Sequence, residues 1–533
     1  MSQVYKSLSI ANPEPLGLSA GQKLFSAIGI VGLGIIVLAG FGMNFAPSSS
    51  SLILSILLMI VGIVGYAYVT YRTEAPGIKN NGIQFSGTMS RGLLGWTLGI
   101  LMTGFYVLLY WYPHLLGKGV DGAANGGVVG LFDPLAMAMK GTPASEWFVY
   151  GTLYTVAIVS FGVRFIWKYR HNRYQIIRTL SVMFFQLFLA FLIPELLEGL
   201  NSEYSAKWFD KDLKNMWPLD YDLFDQWHIA NMSAAGAMGW FFLLFSLAMI
   251  FVVSPFLTYK YGKRWYCSWV CGCGGLAETA GDPWRHLSDK SLNAWKVERW
   301  MIHSVLIFSI VMTVAVVYGY LGNDPDQYYI TRTMFTAIVI GLILLVGGIM
   351  SYFIYNRGNR SDLKMITLGI FGLIGIILLI NYFTGSGNAF FLSNYSFKKW
   401  YGLLIGAAFS GVVGVGFYPL MGSRVWCRFG CPMAALLGIQ QKFFSRFRIT
   451  TNGSQCISCG NCSTYCEMGI DVRAYAQKGQ DIVRASCVGC GVCAAVCPRG
   501  VLKLENGTED IYEKGIDIRN DHVKLVGLSL IHI

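Results

Sequence analysis

The sequence predicts a polytopic all-α membrane protein of about ten transmembrane helices that ends in a small α+β domain organised by cysteine. Three observations predict it. Nearly uncharged apolar runs recur from residue 24 to residue 421, basic residues collect in alternate connections, and eight of the 13 cysteines fall in two matching runs near the C-terminus. Of 533 residues, 54% are hydrophobic and 13% charged, about half the usual charged share.

The apolar runs lie at about 24–44, 51–71, 92–112, 147–167, 179–200, 236–258, 300–321, 334–356, 366–383 and 401–421. Each is near the ~20 residues that cross a bilayer. A soluble bundle would show amphipathic stripes instead. Residues 1–23 form a largely polar segment without the basic start and cleavage site of a signal peptide.

Lysine and arginine set the expected orientation. One set of connections holds Arg72, Lys79 and Arg91, then Arg164, Lys168, Arg170, Arg173 and Arg178. It continues with the 259–299 loop (Lys260, Lys263, Arg264, Arg285, Lys290, Lys296, Arg299) and with Arg357, Arg360 and Lys364. The opposite set includes an acidic stretch carrying Glu195, Glu198, Glu203, Asp210, Asp212, Asp220, Asp222 and Asp225. Ten spans with the N-terminus inside return the C-terminal domain to the cytoplasm of a bacterial inner membrane. The net charge of +12 is then anchoring charge spread loop by loop, and no nucleic-acid partner is expected.

The two cysteine runs read Cys456-Ile-Ser-Cys459-Gly-Asn-Cys462-Ser-Thr-Tyr-Cys466 and Cys487-Val-Gly-Cys490-Gly-Val-Cys493-Ala-Ala-Val-Cys497-Pro498. This is the C-x2-C-x2-C-x3-C spacing of bacterial ferredoxins, in which the fourth cysteine of each run serves the other cluster. One [4Fe-4S] cluster is expected on Cys456, Cys459, Cys462 and Cys497, and a second on Cys487, Cys490, Cys493 and Cys466. Paired zinc sites are the alternative for C-x2-C pairs, and the duplicated four-cysteine run argues against them. Glu467 stands where the first run would carry proline. The domain spans about 445–506, with a 507–533 tail whose Leu528–Ile533 ending resembles translated adaptor sequence.

Four more cysteines form a second repeat. Gly262-Lys-Arg264-Trp265-Tyr266-Cys267-Ser-Trp-Val-Cys271 matches Gly422-Ser-Arg424-Val-Trp426-Cys427-Arg-Phe-Gly-Cys431, as G-x-R-x-aromatic-C-x3-C. The copies follow the sixth and tenth runs, closing membrane blocks 24–258 and 300–432. On a helix, C-x3-C puts two sulfurs on one face, and two facing pairs give four sulfurs for a metal or a third iron–sulfur cluster. Buried thiols that only pack are the alternative. Cys273 competes with Cys271 as a ligand.

These C-x3-C motifs at membrane-helix ends, followed by a dicluster ferredoxin, resemble the NapH/NosR/CcoG group of membrane polyferredoxins. Cys427-Arg-Phe-Gly-Cys431-Pro432 fits that group's C-x3-C-P signature in full, whereas the first copy has Gly272 in place of proline. The resemblance covers about residues 255–505. It implies a membrane-bound electron-transfer protein linking cytoplasmic or quinone donors to a membrane or periplasmic acceptor, with redox proteins as partners. The CcoG-like alternative is a copper reductase or assembly factor for a respiratory metalloenzyme. The flavin domain of NosR-like members is not expected here.

Other motifs are weaker. Ser86-Gly87-Thr88 reads as an ordinary loop, and Gly29, Gly32 and Gly34 read as close helix packing. No C-x-x-C-H is present. His303 and His114 are expected on opposite sides of the membrane, which disfavours a haem. Pro194, Glu195 and Glu198 at the end of the fifth run, with Pro113-His114 and Trp227-His228, are candidates for taking protons from a quinol, against a plain interfacial role. Lys442, Arg446 and Arg448 form a basic approach to the terminal domain.

Overall fold

The structure, a computed structural model, describes residues 18–43, 48–72, 92–120, 122–200, 216–323, 330–356 and 361–507. The loop at 86–88, Lys79, Arg91, Glu203, Asp210, Asp212, Arg357, Arg360 and the 508–533 tail lie outside them.

Among the described residues, eight helices are long and apolar enough to cross a bilayer: Ala20–Gly40, Ser48–Tyr71, Leu93–Trp111, Glu146–Lys168, Arg173–Leu200, Gly239–Tyr261, Leu292–Gly322 and Arg332–Ile349. Leu, Ile, Val and Phe cover their outer faces because lipid, unlike water, does not penalise exposed apolar side chains. Leu94, Ile100, Leu101, Leu244, Phe251 and Leu344 are all exposed. The ninth run falls in the Ser361–Phe383 helix. The tenth is not one regular helix. An α-helix, Asn394–Tyr401, continues as a π-helix, Gly402–Val413, then a turn and the short Tyr418–Met421 helix.

Two other π segments, Phe185–Leu192 and Met249–Val253, directly precede Pro194 and Pro255. Proline has no N–H to give to the carbonyl four residues back, and the widened turn absorbs that loss. An amphipathic helix not expected from the sequence, Gly127–Lys140, buries Val128, Val129, Leu131, Phe132 and Ala136 against the first spans.

The small terminal domain is closed by an antiparallel pair, Arg448–Thr451 with Leu502–Glu505, in the register Arg448↔Glu505 and Thr451↔Leu502. Two short helices, Asn461–Thr464 and Val492–Ala495, each start after a left-handed glycine, Gly460 and Gly491. They mark the internal repeat. One core continues without a break from the membrane body into this domain. It holds Cys267, Cys427, Cys431, Cys462, Cys487 and Cys493, with Cys271, Cys273, Cys456, Cys466, Cys490 and Cys497 packed on it.

Candidate functional site

The first cysteine group gathers as the spacing requires. Cys456, Cys459, Cys462 and Cys497 line one open pocket, together with Ile457, Ser458, Arg473, Pro498 and Arg499. In the second group, Cys493 lies in electrostatic reach of Cys490, Cys466 and Cys487. Each run's fourth cysteine therefore sits with the other run's first three. Cys493 also reaches Cys462, so the two groups adjoin. Burial pushes the Cys462 and Cys490 thiols up to about 12 and Cys487 to about 11. Such thiols ionise only when a cation replaces the proton.

The second run is built into the membrane body. Four successive carbonyls of its loop each accept a hydrogen bond from a side chain outside the domain. Gln441 Nε2 donates to Cys487 O (2.7 Å), Ser268 Oγ to Val488 O (2.9 Å), Tyr174 OH to Gly489 O (2.9 Å) and Gln175 Nε2 to Cys490 O (2.8 Å). Ser288 Oγ donates to Glu467 O at 2.7 Å. The basic approach also anchors the chain: the Arg446 guanidinium donates to the Tyr259 hydroxyl and Arg448 faces Asp481.

The two C-x3-C copies share one backbone design. Cys271 N donates to Tyr266 O at 2.8 Å, and Cys431 N to Trp426 O at 2.9 Å. Their motif glycines adopt left-handed φ, 69° at Gly262 and 97° at Gly422. A Cβ would meet Gln441 Oε1 at 2.6 Å in the first copy and Ser288 N at 2.8 Å in the second. Only glycine meets both demands.

One expectation needs correction. The paired cysteines do not lie on a single helix. Cys267 ends the short Arg264–Cys267 helix, and Cys271 is the N-cap of Gly272–Thr279. Cys431 likewise caps Pro432–Phe444, its sulfur accepting from Ala434 N at 3.4 Å. The local chain folds this way because an extended cysteine before a helix-starting glycine or proline breaks the helix there. The consequence is chemical: both second cysteines sit at helix N-termini, and at Cys431 the first-turn N–H of Ala434 donates to the sulfur.

The two copies do face each other. Cys431 lies in electrostatic reach of Cys427, Cys267 and Cys271, and Cys273 shares a hydrogen bond with Cys271 while facing Cys427 and Cys431. Among the described residues, the group of three or more ligand-type side chains within 4.8 Å of one another is Glu278, Glu467 and Cys490. No three boundary thiols are that close. Four sulfurs around one ion at about 2.3 Å would be closer than this, so the five thiols span more room than one ion needs. Cys273 also faces a tyrosine ladder, in which Tyr106 and Tyr150 stand 5.9 Å apart and Tyr150 and Tyr154 5.2 Å.

Charge joins the two sites. Arg424, the motif arginine of the second copy, donates to Cys427 Sγ (3.4 Å), Cys267 O (3.1 Å) and Glu467 Oε1 (3.0 Å), and it pairs with Glu278. Arg285 meets the other Glu467 oxygen at 2.7 Å, and Arg178 pairs with Glu278. Lys168 and Arg164 flank Asp282 at 2.7 and 3.9 Å. Burial works against ionisation of Asp282, yet Lys168, Arg285 and Arg164 hold its carboxyl down at about 2. The Glu278–Glu467–Cys490 group is thus an ion-pair node, with its carboxylates taken by arginine.

Five buried cations face three buried carboxylates here, and buried Lys263 adds a sixth cation whose Nζ donates to Ala434 O at 3.4 Å. An unmatched buried charge is expensive. Thiolates bound to iron would supply the missing negative charge, so the residues present are compatible with anionic clusters at Cys490 and Cys427.

Glu467 was legible in the sequence only as a departure from the ferredoxin pattern. Glu278, Asp282, Gln175 and Tyr174 carried no sequence signal; charged or polar residues in an apolar stretch were the clue available. The outer-face candidates are not brought to the thiols. Glu195 pairs with Lys140 at 3.4 Å, in keeping with an interfacial role, and His228 lies buried in the Gln226–Ala234 helix. His303 Nδ1 contacts its own helix at Arg299 O, 2.6 Å away, and His114 lies on the separate Pro113–Leu116 turn.

Comparison with known proteins agrees with this chemistry. Residues 448–498 match the family described as a 4Fe-4S dicluster domain. The "Putative electron transport protein YccM" of Escherichia coli (strain K12) is 24% identical over 227 residues, 42% of this chain. The match spans about half (47%) of that relative. No solved structure matches. The chain is a multi-pass helical membrane protein with an iron–sulfur domain of the ferredoxin type.

Proposed function

We propose that this protein relays single electrons from a soluble donor, through two [4Fe-4S] clusters and a boundary cluster, toward an acceptor in or across the membrane. Cys456, Cys459, Cys462 and Cys497 hold the outer cluster, and Cys487, Cys490, Cys493 and Cys466 the inner one. Cys267, Cys427 and Cys431, with Cys271 or Cys273, hold the third. The observation that carries this reading is the capture of the Cys487–Cys490 carbonyls by the membrane body, which sets the inner group against the boundary thiols. The likeness to NapH/NosR/CcoG proteins supports a bacterial inner membrane, with the N-terminus and the cluster domain in the cytoplasm and quinone among the candidate redox partners. Copper reduction or metalloenzyme assembly is the competing reading. The wide thiol spacing and the surrounding cations favour a cluster over a single copper ion.

The deciding experiment is an iron and acid-labile sulfide count with EPR on anaerobically purified protein. About twelve irons per chain are expected, four for each of three cubes. About eight would leave the boundary thiols without a cluster and turn the reading toward copper, which a copper titration of the Cys427→Ser variant would then resolve.

A further inference from the structure

The two halves of the cluster domain differ in what can reach them, and that difference specifies the soluble partner. The second run is closed off by the membrane body, through Gln441, Ser268, Tyr174 and Gln175. The first run opens outward. Its Cys456, Cys459 and Cys462, with Cys497 of the second run, line a pocket whose other lining residues include two arginines, Arg473 and Arg499, and no carboxylate. Both arginines are exposed, as is Lys478 one residue beyond Gln477, whose amide donates to Ser458 Oγ. At the rim, Ile457 is 58% exposed. The turn that presents it is held by Ser458 in a left-handed conformation, φ 58°.

An exposed apolar residue ringed by like charge is the pattern of a transient protein-docking site: the charges steer and orient, and the apolar centre gives brief contact. We propose that the Ile457–Arg473–Arg499 face is the port where an acidic one-electron carrier protein docks, of the flavodoxin or ferredoxin kind. This rests on the relay reading above. One electron leaves the carrier and one arrives at the iron–sulfur group held by Cys456, Cys459, Cys462 and Cys497; no bond or proton moves. A nicotinamide nucleotide is a poorer fit as direct donor, since it gives up a hydride, whereas an iron–sulfur cluster takes one electron at a time.

The test uses the full-length protein in nanodiscs of zwitterionic lipid and a purified, strongly acidic flavodoxin. Two quantities are read: the bimolecular rate of cluster reduction by reduced flavodoxin, and the affinity for oxidised flavodoxin by titration calorimetry. The wild-type rate is expected to fall steeply between about 20 and 300 mM salt, as screened attraction does. Arg473→Glu with Arg499→Glu should slow it by at least about tenfold at low salt and weaken binding in parallel. Iron content and the final extent of cluster reduction by excess dithionite should stay unchanged. Arg473→Gln alone, a milder change, should fall between the two. A rate indifferent to salt and to both variants overturns the port while leaving the relay intact. Loss of anionic-vesicle binding by the double variant, with no effect on flavodoxin, also overturns it and assigns the arginines to lipid headgroups. Wild-type protein without clusters would overturn the relay itself.

Discussion

The two cysteine runs of the terminal domain share a backbone and differ in their surroundings. Residue 458 in the first run and residue 489 in the second occupy the same turn, with φ of 58° and 64°. In the open run the position is serine, tolerated because nothing crowds it. In the docked run it is glycine, and a Cβ there would meet Arg264 Cβ at 2.6 Å and Phe447 Cζ at 3.0 Å. A left-handed turn tolerates serine at a modest energetic cost; the same turn pressed against another wall does not. The residues after the fourth cysteines follow the group each cysteine joins rather than its run: Pro498, after the Cys497 that joins the open group, is exposed, and Glu467, after the Cys466 that joins the docked group, is 1% exposed. The comparison teaches that one half of a symmetric domain was recruited for docking and the other left free.

The largest effect should come from Glu467→Gln. It leaves Arg424 and Arg285 buried without a full counter-charge, and breaking such a pair costs about 3–5 kcal/mol. Thermal loss of iron absorbance should shift to markedly lower temperature, whereas Pro498→Ala should barely move it. Equal effects of the two would end the distinction between the halves.

Next comes Gly489→Ala against Ser458→Ala. Overpacking and φ strain predict about 1–3 kcal/mol for the first and under about 0.5 kcal/mol for the second. Chemical denaturation followed by cluster absorbance would read both. Smaller still, Tyr174→Phe removes one hydrogen bond to Gly489 O and should cost about 1 kcal/mol. Gln477→Ala, which loses only an exposed bond to Ser458, should be near neutral.

A pH change should also act on one half. His286 lies in the Asp282–Leu287 turn of the docking wall, where burial, then Lys290 and Lys168, lower its imidazole from the usual 6.5 to about 4. The unfolded state therefore binds its proton first. The stability this neutral ring contributes is full above about pH 6.5 and is lost as pH falls toward 4. Hydrogen exchange of residues 464–469, which the same turn holds through Lys290 and Ser288, should rise over that window while exchange at 456–460 changes little, and His286→Asn should flatten the slope. A slope unchanged in that variant would point to another group.

Much was legible in the chain itself. Ten apolar runs needed only composition to be read, because a bilayer selects for apolarity over a fixed length. The eight cysteines pointed to a dicluster ferredoxin domain through spacing, which the family match over residues 448–498 supports, since three ligands from one short loop leave little freedom of arrangement. The repeat around Cys267 and Cys427 was visible as well, together with its glycines and arginines. The Gly127–Lys140 helix and the break in the tenth run were less visible, because their character depends on neighbours: an amphipathic face needs something to bury against, and a π turn answers local strain.

The sequence by itself determined which residues are candidates for the redox chemistry, because ligand type and spacing are local properties. Only the tertiary structure decided how the centres are arranged relative to one another. That arrangement depends on Arg424 meeting Glu467 across 43 residues and Gln175 meeting Cys490 across 315. Such contacts form where separate segments pack, and no periodicity in the chain announces them. The same packing turned the glutamate that replaces proline after Cys466 into one of the residues that join the terminal domain to the membrane body.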